Sequence, residues 1–141
     1  MKPEGPTTAI LACMDARLDA AGFLDSWPDV VHVVRNAGGR VTADALRSLA
    51  ASCAMAGTER IIVLHHTDCA MAMHSEEQIR TLLPPGTAEG IEFLTIAEPI
   101  QALQEDVAAV RGAPFLPPGV EVVGMVYDLG ERTVREVTVG S

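Results

Sequence analysis

Aromatic side chains are scarce in this chain, at 4% of 141 residues, whereas 48% of the residues are hydrophobic. Ala, Val, Leu and Ile therefore have to build the core, and small aliphatics suit helices packed on a sheet. Basic charge is scarce as well: 10 Lys and Arg stand against 19 Asp and Glu, for a net charge of −9. Nucleic-acid binding needs a basic stripe, so that class is excluded. A small anionic ligand is not, because one local cation can dominate a pocket. No apolar run approaches the roughly 20 residues of a membrane-spanning helix. The opening "MKPEGPTTAILAC" lacks the apolar centre of a secretory signal, and a cytoplasmic protein is expected. Cysteine is limited to Cys13, Cys53 and Cys69. An odd number in a reducing compartment points away from disulfides and towards metal or thiol chemistry. Neither G-x-G-x-x-G nor a Walker-type loop occurs, so a nucleotide site is unsupported.

What is present is an alternation of strand-like and helix-like segments. Residues 7–13, 30–35 and 60–65 are apolar and rich in β-branched residues, as buried strands are. Residues 42–56 predict a helix, with Thr42 as N-cap and Gly57 as stop. Its Leu46, Leu49, Ala50 and Cys53 share one face, which makes Cys53 a core residue. The stretch from Cys69 predicts a helix running to Pro84, and residues 98–111 predict another. Residues 120–127 predict a fourth strand, and "RTVREVTV" a terminal hairpin partner. Strands separated by helices imply an α/β fold with a mostly parallel sheet. The length fits one domain spanning residues 1–141. The apolar strands at 30–35 and 60–65 lack polar alternation, so both of their faces should be covered, and a second copy would serve for that.

Ligands of parallel sheets sit beyond the carboxyl ends of the strands. Two clusters lie there. Cys13, Asp15 and Arg17 follow the first strand; His65, His66, Asp68 and Cys69 follow the third. Cys13, His66 and Cys69 form a soft sulfur–nitrogen set suited to Zn²⁺ with one position left open, the catalytic pattern. His65 and His66 alternate faces, so only one points at the metal, and His66 is favoured. Asp15 is close enough in sequence to take the fourth position or to accept a hydrogen bond from zinc-bound hydroxide. A bidentate pair with Arg17 would hold it off the metal. In "VVRNAGGR", Gly38 and Gly39 permit a tight turn and close backbone approach to a small ligand.

These motifs together resemble the β-class carbonic anhydrases. The family's C-x-D-x-R is Cys13–Arg17, its R-N-A-G is Arg35–Gly38, and its H-x-x-C is His66–Cys69. The resemblance runs from about residue 7 to residue 139, and the order and spacing agree. It implies a central sheet ordered 2-1-3-4 and an intimate homodimer, often paired into tetramers. It implies zinc bound by Cys13, His66 and Cys69, joined by Asp15 in a closed state only. It also implies an Asp15–Arg17 gate and reversible hydration of carbon dioxide to bicarbonate by zinc-bound hydroxide. Substrate contacts are expected from Gly38, Gly39 and the backbone N–H of Ala70, where many members have Gly. Ala16 likewise replaces a common Ser. His65, His74 and His32 are proton-shuttle candidates. The rival readings are a carbon disulfide or carbonyl sulfide hydrolase on the same fold, a zinc-stabilised binding protein without turnover, and a metal-free cysteine hydrolase.

Overall fold

The structure, a computed structural model, describes residues 6–20, 27 and 29–139. Five strands form one sheet: β1 (Thr8–Cys13), β2 (Val30–Asn36), β3 (Arg60–His66), β4 (Glu121–Asp128) and β5 (Thr133–Val137). Their order is β2-β1-β3-β4-β5. The first four run parallel, and β5 returns antiparallel to β4. The expected order 2-1-3-4 and the antiparallel edge strand are both present.

The helices are α1 (Arg17–Ala20), α2 (Ala43–Ala56), α3 (Ala70–Met73), α4 (Glu76–Thr81) and α5 (Pro99–Arg111). Alternate residues of the central strands divide the core in two. Ala9, Ile61, Val63 and Val122 pack with Leu49 and Cys53 of α2 and with Leu103, Val107 and Val110 of α5. Ile10, Ala12, Ile62 and Leu64 pack on the opposite face with Leu18, Ile96 and Tyr127. Each fully buried Leu or Ile contributes roughly 1.5–3 kcal/mol, so aliphatics alone suffice. Gly124 sets the spacing between β4 and α5, since a Cβ there would lie 2.9 Å from Val107 Cγ2. Helix α2 begins and ends as its sequence dictates: Thr42 accepts from the Ala45 N–H, and Gly57 adopts φ 65.

One expectation is corrected, and another is not met by this chain alone. The helix expected from Cys69 to Pro84 is two short helices, because His74 is extended (φ −130, ψ 140) and Ser75 starts α4 afresh. Ser75 and Gln78 form a reciprocal capping box. Strand β2 lies at an edge of the sheet, and in the single chain Val31 and Val33 are exposed on it, at 36% and 40%. Their face is not covered by the chain itself.

Candidate metal centre

Strands β1 and β3 are parallel neighbours, so their carboxyl ends lie side by side. Cys13 closes β1 opposite Asn36 of β2, and His66 closes β3. The chain then turns through Thr67 and Asp68. Asp68 adopts φ 54, a left-handed conformation that Asp tolerates better than most residues. The turn is pinned to the end of β4: Thr67 N–H donates to the Tyr127 carbonyl at 3.0 Å, and Thr67 Oγ1 accepts from Leu129 N–H at 2.9 Å. Cys69 follows at the start of α3 and faces back towards Cys13.

The result is a compact, buried donor set. The ligand atoms of Cys13, His66 and Cys69 all lie within 4.8 Å of one another. The two sulfurs are 4.0 Å apart, close to the ~3.8 Å that two thiolates about 2.3 Å from one tetrahedral zinc would show. His66 Nδ1 is bonded to the Thr67 carbonyl at 2.6 Å, leaving Nε2 to face the sulfurs. That Nε2 is buried and has no hydrogen-bond partner among the described residues. A neutral imidazole held by a backbone carbonyl, with its second nitrogen free beside two thiols, fits zinc.

The two sulfurs, 4.0 Å apart, influence each other's protonation. The Cys69 hydrogen bond lowers the Cys13 thiol pKa, and the same bond to a sulfur carrying the charge raises that of Cys69. Gly38 N–H also points at Cys13 Sγ, at 3.4 Å. Burial lowers the His66 pKa, but the neighbouring Cys13 sulfur and the Thr67 carbonyl outweigh it and raise it.

Asp15 and Arg17 are paired. Arg17 Nη2 donates to Asp15 Oδ2 at 2.6 Å, Nε reaches both carboxylate oxygens at 3.1 Å, and the Arg17 backbone N–H holds Oδ1 at 2.9 Å. Arg17 Nη2 also donates to the Asp68 carbonyl at 2.8 Å, tying the two clusters together. The Arg17 hydrogen bond lowers the Asp15 pKa from the ordinary carboxylate value to about 2. Asp15 Oδ2 lies 3.9 Å from His66 Nε2, at the edge of the donor set.

Of the remaining expected residues, Gly38 (φ 84) borders the site with its N–H on Cys13. Gly39 (φ 65) presses on protein backbone: a Cβ there would stand 3.0 Å from the Ala12 carbonyl carbon and the Cys13 nitrogen. Ala70 opens α3 and is exposed. His66, Cys69, Gly38, Ile96, Ile100 and Val126 help to line an adjoining cavity of about 340 Å³, mostly apolar. His65 points away from the sulfurs. Its Nε2 lies 3.0 Å from Asp106 of α5, as strand alternation requires. His74 is exposed and His32 is bonded to Ser52 of α2.

Two groups went unread in the sequence. Arg35 donates to the carbonyls of Cys13 (2.9 Å) and Asp15 (2.7 Å) and pairs with Asp19, clamping the loop that carries the dyad. Asp106 accepts from Arg40 Nε at 2.7 Å as well as from His65. Burial raises the Asp106 pKa, but the hydrogen bonds from His65 and Arg40 bring it below the ordinary carboxylate value. The R-N-A-G motif pointed at Arg35, but Asp106 had no such signal.

Fold and site together define a class: a parallel α/β sheet bearing a buried Cys–His–Cys set at its carboxyl edge, with an Asp–Arg pair beside it. A family model described as carbonic anhydrase matches residues 8–113. Beta-carbonic anhydrase 1 of Mycobacterium bovis is 34% identical over 138 residues, covering 96% of this chain and 85% of that protein. A carbon disulfide hydrolase of Acidithiobacillus thiooxidans is 48% identical over 156 aligned residues, covering 94% of this chain and 78% of that one. The crystal structure of a carbonic anhydrase from Streptococcus mutans superposes with a TM-score of 0.84 at 36% identity, covering 98% of this chain and 86% of that one. The chain belongs to the β-class carbonic anhydrase family.

Proposed function

We propose that this protein is a zinc-dependent carbonic anhydrase that interconverts carbon dioxide and water with bicarbonate and a proton. Cys13, His66 and Cys69 hold the metal, which supplies Lewis acidity and makes hydroxide available near neutral pH. The observation that carries the reading is the Asp15 carboxylate, gripped by Arg17 and standing 3.9 Å from His66 Nε2. A structural zinc site has no use for such a pair.

Paired with Arg17, Asp15 is an acceptor held at the edge of the donor set, where it would orient the attacking water or hydroxide without binding the metal. Released from Arg17, it would be near enough to join Cys13, His66 and Cys69 in holding the metal and so close the site. The adjoining apolar cavity suits an uncharged triatomic substrate, and Gly38 is among the residues that line it. The net charge of −9 makes bicarbonate a product that leaves readily. Free thiols at all three cysteines support a reducing, cytoplasmic setting. The exposed β2 valines support a homodimer, and tetramers are known for a family member from Sordaria macrospora. Residues 1–141 act as one zinc domain.

A second reading has its own observation. The relative at 48% identity is a carbon disulfide hydrolase, and an apolar cavity accepts the sulfur analogue as readily. The test is stopped-flow hydration of carbon dioxide by zinc-loaded protein, run beside hydrogen sulfide release from carbon disulfide and from carbonyl sulfide. Turnover of carbon dioxide well above that of the sulfur substrates is expected. Sulfide release with no carbon dioxide hydration would replace the first reading by the second.

A further inference from the structure

We infer that Asp106 is a positioning residue of the metal centre, acting through His65 and Arg40. The inference rests on the reading of Cys13, His66 and Cys69 as zinc ligands.

Asp106 sits in the middle of α5 and is 4% exposed, and its side-chain hydrogen bonds go to Arg40, Val41 and His65 rather than to the three ligands. One carboxylate oxygen, Oδ2, faces His65 Nε2 at 3.0 Å and Arg40 Nε at 2.7 Å. The other, Oδ1, accepts the Val41 N–H at 3.3 Å. A single side chain thus reaches the end of β3, which carries His66, and the turn after β2, which borders Cys13.

The first reach is to the end of β3. His65 precedes His66, and side chains on a strand alternate faces. Anchoring the His65 ring on α5 sets the roll of the strand end and sends the His66 ring to the other face, where the sulfurs are. Among the described residues the His65 imidazole has no second hydrogen bond, since its Nδ1 is buried without a partner.

The second reach is to the turn after β2. Arg40 closes a bracket in which Asn36 Oδ1 accepts its N–H at 2.9 Å and Asn36 Nδ2 donates to its carbonyl at 2.8 Å. Inside that bracket lies Gly38, whose N–H meets Cys13 Sγ. Arg40 also donates to the Leu94 carbonyl at 2.9 Å. Leu94 is held at φ 57, where a bulky residue rarely sits unless its surroundings force it. Two residues on, Ile96 N–H donates to the Met71 carbonyl at 2.8 Å, just beyond Cys69. A buried ion pair is a poor route to stability, which leaves geometry as the role of this one.

The test loads Co²⁺ into the parent, Asp106→Asn, His65→Gln and the double variant. It records the thiolate-to-metal and d–d absorption, the Co²⁺ affinity by chelator competition, and thermal melting. The expected result is roughly tenfold weaker Co²⁺ binding and an altered spectrum in each single variant, the low end of what outer partners of a metal site contribute. The double variant should be no worse than either single one, because both act through one contact. If Asp106→Asn does not fold, the apolar pair Arg40→Met with Asp106→Leu removes the anchor without stranding a charge, and it should show the same loss. A lowered melting temperature with parent-like affinity and spectrum overturns the inference and leaves the zinc reading intact. A parent that takes up no Co²⁺ overturns both.

Discussion

Replacing Gly39 with alanine should damage the metal centre without touching a ligand. Gly39 has φ 65, which costs an L residue about 1–2 kcal/mol. Its new methyl would meet three backbone atoms: the Ala12 carbonyl carbon at 3.0 Å, the Cys13 nitrogen at 3.0 Å and the Leu64 oxygen at 3.1 Å. Backbone does not rotate aside as a side chain does, so a full overpacking cost of about 1–3 kcal/mol adds to the first. Together these give about 2–5 kcal/mol, a large share of the ~5–15 kcal/mol that holds a typical domain. The strain falls where β1 and β3 lie side by side, so it pushes Cys13 away from the strand that ends in His66. Gly38→Ala is the internal control. Its φ of 84 is equally unfavourable, but its methyl would meet Arg40 Cγ and Met71 Cγ at 3.3 Å, side-chain atoms that can move. Urea unfolding and zinc content should therefore both rank parent, then Gly38→Ala, then Gly39→Ala. Equal stability and full zinc in Gly39→Ala would refute the reasoning.

Asp15→Ala and Arg17→Ala should both keep zinc and lose most carbon dioxide hydration, the first through loss of the acceptor and the second through closure by a released Asp15; parent rates in both would reduce the pair to a surface ion pair. Glu76 holds the N–H groups of Phe93 and Thr95 at 2.8 Å each and is a third exposed, so Glu76→Gln should cost about 1 kcal/mol and speed amide exchange at those two positions, which hydrogen-exchange mass spectrometry reads. Because the folded pKa of Asp15 lies below its unfolded value, its contribution to stability is complete above about pH 4 and is lost as pH falls towards about 2; acid unfolding of Asp15→Asn should show a shallower decline there, and an identical slope counts against the pairing. Light scattering at micromolar concentration should find a dimer, and Val33→Glu should shift it towards monomer; a monomeric parent would contradict the assignment of β2 to an interface.

Much of this was legible in the sequence because its signals were local. β-branched runs marked each strand, and Thr42 and Gly57 marked both ends of α2. The spacing within C-x-D-x-R and H-x-x-C is a property of single turns, so it survives folding unchanged. The break between α3 and α4 was legible too: Ser75 and Gln78 carry the capping signature, but the apolar period around them read as one helix. Asp106 was not legible. In "QEDVAAV" it looks like any solvated helix acid, and its partners Arg40 and His65 lie 66 and 41 residues away. Only the packing of α5 across β3 and β4 brings the three together. The sequence could not say what covers β2, because an apolar strand looks the same whether its lid comes from its own chain or from another.

The closeness of Cys13 and Cys69 has a redox consequence. Two sulfurs 4.0 Å apart, with the contact between them lowering the Cys13 thiol pKa, are positioned to give up two electrons to a small oxidant and close on each other. Zinc held by Cys13 and Cys69 would engage the lone pairs that such an attack needs. Metal loading is then also thiol protection: the holoprotein should tolerate peroxide that inactivates the metal-free chain, and reduction should come before remetallation whenever activity is restored.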